Sequence, residues 1–165
     1  YFIYELNPCE RMARTPRIFH LLQKAHSALF RATDRRLREA YGITASQQAV
    51  LFILGLRNGQ PISAIADALS MGKSSLTGLI DRMEEKSLVR RAPHPEDSRS
   101  QLVFIAPAGR DIAATTVADT RRINDALLSP FSADEQATIA RFLNHVAENG
   151  PTLITEASPL PETTR

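Results

Sequence analysis

Lys73, Ser74, Ser75, Thr77, Gly78 and Arg82 stand close together in the chain, and their types suit one kind of chemistry. Short hydroxyls give and accept hydrogen bonds, glycine lets a backbone come close, and the two cations attract phosphate. If the segment is a helix, its first free N–H groups and partial positive charge add to that attraction. Acids come only later, at Asp81, Glu84 and Glu85, so about the first two turns would enter a groove of double-stranded DNA. A second group follows. Arg90, Arg91 and Arg99 surround a polar loop, His94 to Arg99, that also holds Asp97. An arginine at a hairpin tip suits the minor groove, where narrow A·T stretches concentrate negative potential. Asp97 suits holding that guanidinium in a fork.

The elements that position these groups follow from apolar spacing. Leu76, Leu79, Ile80 and Met83 recur at i, i+3, i+4 and i+7, which predicts a helix from Lys73 to about Lys86 with the polar set facing out. Before it, Ser63 reads as the N-cap of a short helix carrying Ile65, Ala66 and Leu69, and Ser70-Met71-Gly72 as the turn. After it, Leu88 to Ala92 and Gln101 to Ile105 read as two strands. Short helix, turn, polar-faced helix and charged hairpin are the parts of a winged helix-turn-helix, which places one helix in the major groove. An isolated amphipathic helix with a solvated face would show the same residues. The flanking elements decide against that reading.

The rest of the chain reads as support. Apolar spacing from Ile18 to Leu37, closed at Tyr41-Gly42, predicts a first helix over about 17–41, about 37 Å long. Ser46 reads as the cap of a second helix, whose stretch Ala49 to Leu54 is apolar on every side and so belongs in the middle of the fold. Pro107 starts a further helix, and Ser132 with Glu135 makes a capping box for the last, which Gly150-Pro151 is expected to end. The expected organisation is an arm and first dimerisation helix (1–41), a winged region (43–106), C-terminal dimerisation helices (107–149) and a loose tail (150–165), in one intertwined domain. The fold class is mainly α with a small β wing.

At this point the residues resemble a family. LTGLIDRMEEKSLVRR, then Asp97-Ser98-Arg99, then IAPAGR, is similar to the bacterial MarR-type regulators, whose pattern is "LE-x-K-G-L-V-x-R", a D-x-R wing and "L-T-x-x-G". The resemblance runs from about Arg17 to about Glu148. It implies a triangular winged-helix homodimer joined by its first and last two helices, with Asp97 and Arg99 as the wing pair and Lys73, Ser74, Ser75 and Thr77 facing the groove. Two such helices would read a pseudo-palindrome with half-sites about one helical turn apart. The chain departs from the pattern twice. Ser87 stands where glycine is usual, which asks a serine for a left-handed helix cap or implies a different helix end, and Ala106-Pro107 replaces a capping threonine pair.

Many members of that family are released from DNA by small phenolic or aromatic carboxylate ligands. Arg14, Arg17, His20 and Arg38 are the candidate effector residues here, with His26 a lesser one. Arg17 and His20 share a helix face, and arginine forks a carboxylate while histidine hydrogen-bonds a phenol. Cys9 is the single cysteine, which allows a redox-responsive alternative but no intrachain disulfide. His20, His26, His94 and His145 lack ligand spacing, so neither metal nor cofactor is expected.

Bulk properties agree. The 165 residues carry a net charge of +2, with 43% hydrophobic and 23% charged residues. Charge is uneven: eight basic residues against one acid lie between Arg11 and Arg38, and acids outnumber bases after Gly109. No apolar run approaches a membrane span and no signal-peptide core is present near the N-terminus, so a cytoplasmic, nucleoid-associated protein is expected. The sequence begins with Tyr1 rather than methionine, so preceding residues are expected. No G-x-S-x-G elbow, phosphate loop or H-E-x-x-H spacing occurs, and an enzyme is not expected. The stronger rival is a winged helix that binds protein; the wing arginine and the small groove face favour DNA. A dimeric repressor released by an aromatic acid is the resulting expectation.

Overall fold

The computed structural model describes residues 17–95 and 101–157. Helices α1 (Ile18–Tyr41) and α2 (Ala45–Leu56) lead to β1 (Gln60–Pro61), α3 (Ile62–Ala68) and α4 (Lys73–Glu85). Then come β2 (Val89–Pro93), β3 (Gln101–Ile105), α5 (Pro107–Leu128) and α6 (Ala133–Ala157). The fold is mainly helical with one small antiparallel sheet, as the apolar spacing predicts. Described residues up to Thr115 make one unit and those from Thr116 another, with the division inside α5.

The first unit has a single apolar core. Val50, Leu51 and Leu54 from α2, Ile65 from α3, Leu76, Ile80 and Met83 from α4, and Val103 from β3 are all fully buried. Each such side chain contributes about 1.5–3 kcal/mol, so α4 is held mainly by its inner stripe. The sheet runs in the order β1–β3–β2, with Arg91 opposite Val103 and Pro61 opposite Leu102. β1 has no counterpart in the sequence reading. It exists because Asn58 Oδ1 accepts from both Gly59 N (3.1 Å) and Ile105 N (2.9 Å), which fastens the turn to β3. Gly59 is left-handed, and a Cβ there would lie 2.6 Å from the Phe104 ring.

Caps differ from the sequence expectation at two places. Thr44, not Ser46, caps α2: its extended backbone lets Oγ1 accept from Gln47 N while Gln47 Oε1 accepts from Thr44 N. Pro61, not Ser63, precedes α3, because the chain passes straight from β1 into the helix. The helix ends around α4 are alike. Ser70 and Ser87 both have positive φ (51° and 57°). Ser70 N–H reaches Asp67 O and Met71 N–H reaches Ala66 O; Ser87 N–H reaches Glu84 O and Leu88 N–H reaches Met83 O. Both pairs are Schellman closures, the second sealed by the buried Met83 and Leu88. At the start of α5, Gly109 fits where a Cβ would lie 2.1 Å from Leu88 O, so only glycine lets the helix approach the strand.

In the second unit, Ser132 and Glu135 cap α6 reciprocally, as expected. The helix does not end at Gly150-Pro151. It runs through Pro151 to Ala157, so the expected loose tail is helical over its first part, and the remainder lies outside the described residues. Pro151 forfeits one backbone donor. Nearby side chains add bonds to other carbonyls of the helix: Asn149 Nδ2 donates to His145 O (3.1 Å) and Thr155 Oγ1 donates to Pro151 O (3.0 Å). Apolar residues also continue at helical spacing through Val146, Leu153 and Ile154. No helix among the described residues is long and apolar enough to cross a membrane.

Candidate nucleic-acid interface

Helix α4 turns its inner stripe to the core and so presents Lys73, Ser74, Ser75, Thr77 and Arg82 to solvent. Gly72 precedes it without a side-chain cap, so no side chain occupies the free N–H groups of its first turn. The Thr77 hydroxyl donates to Lys73 O (2.8 Å) and keeps its lone pairs outward. Gly78 is half-buried, and a Cβ there would lie 3.5 Å from Arg82 Nη1. That is ordinary contact, so Arg82 lies back along the helix beside Gly78 without needing a glycine there. Five of the expected contacts share one exposed surface.

Arg91 is placed differently from the expectation. Its guanidinium donates to Asp81 Oδ1 (2.6 Å, Nη2) and Glu84 Oε2 (2.9 Å, Nη1), and its backbone N–H donates to Glu84 Oε1 (2.9 Å). The side chain is only 17% exposed. Both sides of the fork are on carboxylates, so α4 holds the guanidinium. Asp81 and Glu84, read from sequence only as acids that would repel DNA, thus share one positive partner. Their spacing of three residues on the helix was the available signal; which strand residue they meet depends on how β2 packs against α4. Arg90 alternates to the other face of the strand, with its guanidinium 4.5 Å from the centre of the Phe104 ring. Asp97 and Arg99 lie outside the described residues.

Two ties fix α1 to its neighbours, one at the end of α4 and one at the start of α2. Lys86 Nζ donates to Gly42 O (2.7 Å) at the left-handed end of α1. Asp34 on α1 accepts from Arg38 Nε (2.7 Å) and from Ala45 N (2.9 Å) at the start of α2. These contacts hold the Asp34 carboxyl below its ordinary value, the Arg38 hydrogen bond first and the Ala45 N–H second, against a smaller opposing effect of burial.

The candidate effector residues do not converge within the first unit. Arg17 and His20 are exposed at the start of α1, and Arg38 lies about 32 Å further along the helix by its rise. Arg38 is paired with Asp34 and lines an open groove of ≈ 420 Å³ with Phe30, Arg31, Arg35 and Glu39. His26 stacks on Phe30, with centroids 5.7 Å apart. Arg14 and Cys9 lie outside the described residues.

The model of the MarR family matches residues 43–101, from just before α2 to the start of β3. BadR of Rhodopseudomonas palustris, described as a transcriptional activatory protein, is 30% identical over 143 residues, covering 84% of this chain and 81% of that one. The chain belongs to the MarR family. This MarR-family regulator is also similar to a probable transcriptional regulator from Pseudomonas aeruginosa, at 27% identity and a TM-score of 0.69 over 79% of this chain and 97% of that one. BpsR of Bordetella bronchiseptica, whose DNA binding is described as regulated by 6-hydroxynicotinic acid, shares the fold at 22% identity, with a TM-score of 0.70 over 79% and 98%. The relatives and the fold are those of transcription regulators, with DNA binding through a winged helix.

Proposed function

We propose that this chain is a homodimeric repressor that reads a pseudo-palindromic operator and is released by a small aromatic or phenolic acid. The observation that carries the DNA part is the exposed surface of α4, where Lys73, Ser74, Ser75 and Thr77 gather at an uncapped helix N-terminus and Arg82 adds a cation in the last turn. The wing would add Asp97 and Arg99, with the arginine in the minor groove. Exposed apolar side chains on α1 and α6 support the dimer, since a second copy would cover them. In this reading the first and the last two helices would be the dimerisation elements. The effector reading rests on Arg17 and His20, and the ligand named for BpsR, a hydroxylated aromatic acid, has the chemistry those two groups would bind. Repression follows where the operator overlaps a promoter. BadR is named for the opposite sign, which an operator placed upstream of the promoter would give.

One titration tests the set. Fluorescence anisotropy on the DNA upstream of its own gene, across a salt series, should show Arg99→Ala weakening binding and reducing the log–log salt slope by about 0.9. Unchanged affinity and slope would remove Arg99 from the wing contact. Adding hydroxybenzoates to the same complex should release the wild type, and His20→Ala should resist release; equal release of both would take His20 out of the ligand site.

A further inference from the structure

Between Lys73 and Glu85, α4 carries three carboxylates against two cations, an unfavourable balance for a helix meant to lie on phosphates. Asp81 sits on the outward face, half exposed, and Glu84 on the flank towards β2. Thr77, Asp81 and Glu84 are spaced i, i+4 and i+7, so they form one stripe along the helix. The Arg91 side chain lies along that stripe, its Nη2 within 3.5 Å of Thr77 O beyond the two carboxylates. Its Nε is buried without a partner among the described residues, so the carboxylates at its tips set its position. Glu84 also accepts the backbone N–H of Arg91, which points away from β3 on the edge strand of the sheet. One carboxylate thereby grips both the main chain and the side chain at the root of the wing.

Resting on the DNA reading above, we infer that Arg91 is a positioning residue for DNA binding. It clamps the root of the wing to the second half of α4 and offsets one of the two charges of Asp81 and Glu84, so that less negative charge faces the phosphates. It touches no phosphate itself. This role separates it from Arg99 and Lys73, whose removal takes away a charge that DNA meets directly.

Two measurements on the full chain test the inference. The first needs no DNA. Hydrogen exchange should show the Arg91 amide protected, and Glu84→Ala should speed its exchange at least about tenfold. Equal rates would mean that the clamp is absent. The second is operator affinity across a salt series for Arg91→Met, which keeps the aliphatic stem so that the core-facing packing survives. Binding should weaken about tenfold through the uncompensated carboxylates. The salt slope should stay at the wild-type value, where loss of a direct phosphate contact would lower it by about 0.9. Adding Asp81→Asn and Glu84→Gln should then raise affinity at least about threefold more in the Arg91→Met background than in the wild type, a coupling that independent sites would not show. Arg91→Lys, which keeps the charge but not the fork, should fall between wild type and Arg91→Met. A fallen slope, an unchanged affinity, or no recovery in the triple variant would each overturn the inference. If the wild type bound no upstream DNA, the functional reading would fail, while the clamp would stand or fall on exchange at the Arg91 amide.

Discussion

Ser70 and Ser87 occupy left-handed positions on either side of α4, where an L-residue other than glycine is strained. Both are exposed, and neither closure uses a serine hydroxyl for the hydrogen bonds that define it. Ser87→Gly should therefore raise stability by about 0.5–1 kcal/mol, because the relieved strain exceeds the added freedom of the unfolded chain. A urea midpoint shifted upward at unchanged slope would register it, and a lower midpoint would show that the serine earns its place. The left-handed cap at Ser87 was only half legible in the sequence: the family pattern has glycine there, but a different helix end was equally open. The partnership of Arg91 was not legible. Nothing in residue type separates a guanidinium destined for phosphate from one destined for Glu84; only the packing of β2 on α4 brings the charges within 3 Å.

At the scale of elements, helices with a long apolar period were readable and their ends less so. α4 matches its expected stripe residue for residue, since four buried side chains at helical spacing leave no other register. β1 has only two residues, too few to carry any period, and its pairing is dictated by Asn58 and β3 rather than by its own sequence. Thr44 and Ser46 are chemically similar caps, and backbone conformation at Thr44 chose between them. The joint between α1 and α2 is electrostatic as well as apolar. Asp34 has a lowered pKa, so its contribution to stability is complete above the ordinary aspartate range and is lost as pH falls through its lower, folded-state value. Asp34→Asn should accordingly lower stability at neutral pH and flatten the acid limb of the pH–stability curve. Parallel curves for the two proteins would mean that the carboxyl is not the responsible group.

At the scale of the molecule, large apolar side chains remain in solvent on both units. Phe19 is 75% exposed and Ile154 61%, and Leu143 is exposed on the same α6 helix as Ile154. A monomer gains nothing from that arrangement, whereas a dimer would remove it from water at about 25 cal/mol per Å². In the proposed dimer, Leu143→Glu should place a charge inside such an interface and halve the mass seen by sedimentation, with DNA affinity falling in step as the proposed pairing of half-sites is lost. An unchanged mass would exclude that face of α6 from the interface. The continuation of α6 past Pro151 lengthens this surface beyond what breaker residues alone imply.

The grip of Glu84 on the Arg91 amide has one more effect. A three-stranded sheet with β2 at its edge offers a row of free N–H groups on which a strand of another chain could grow. Along that edge, the Arg91 N–H is occupied by a carboxylate and Pro93, two residues on, has no N–H to offer. The edge is closed to strand addition at both positions, so a sheet that must stay exposed beside DNA is protected from templating aggregation when many copies crowd together.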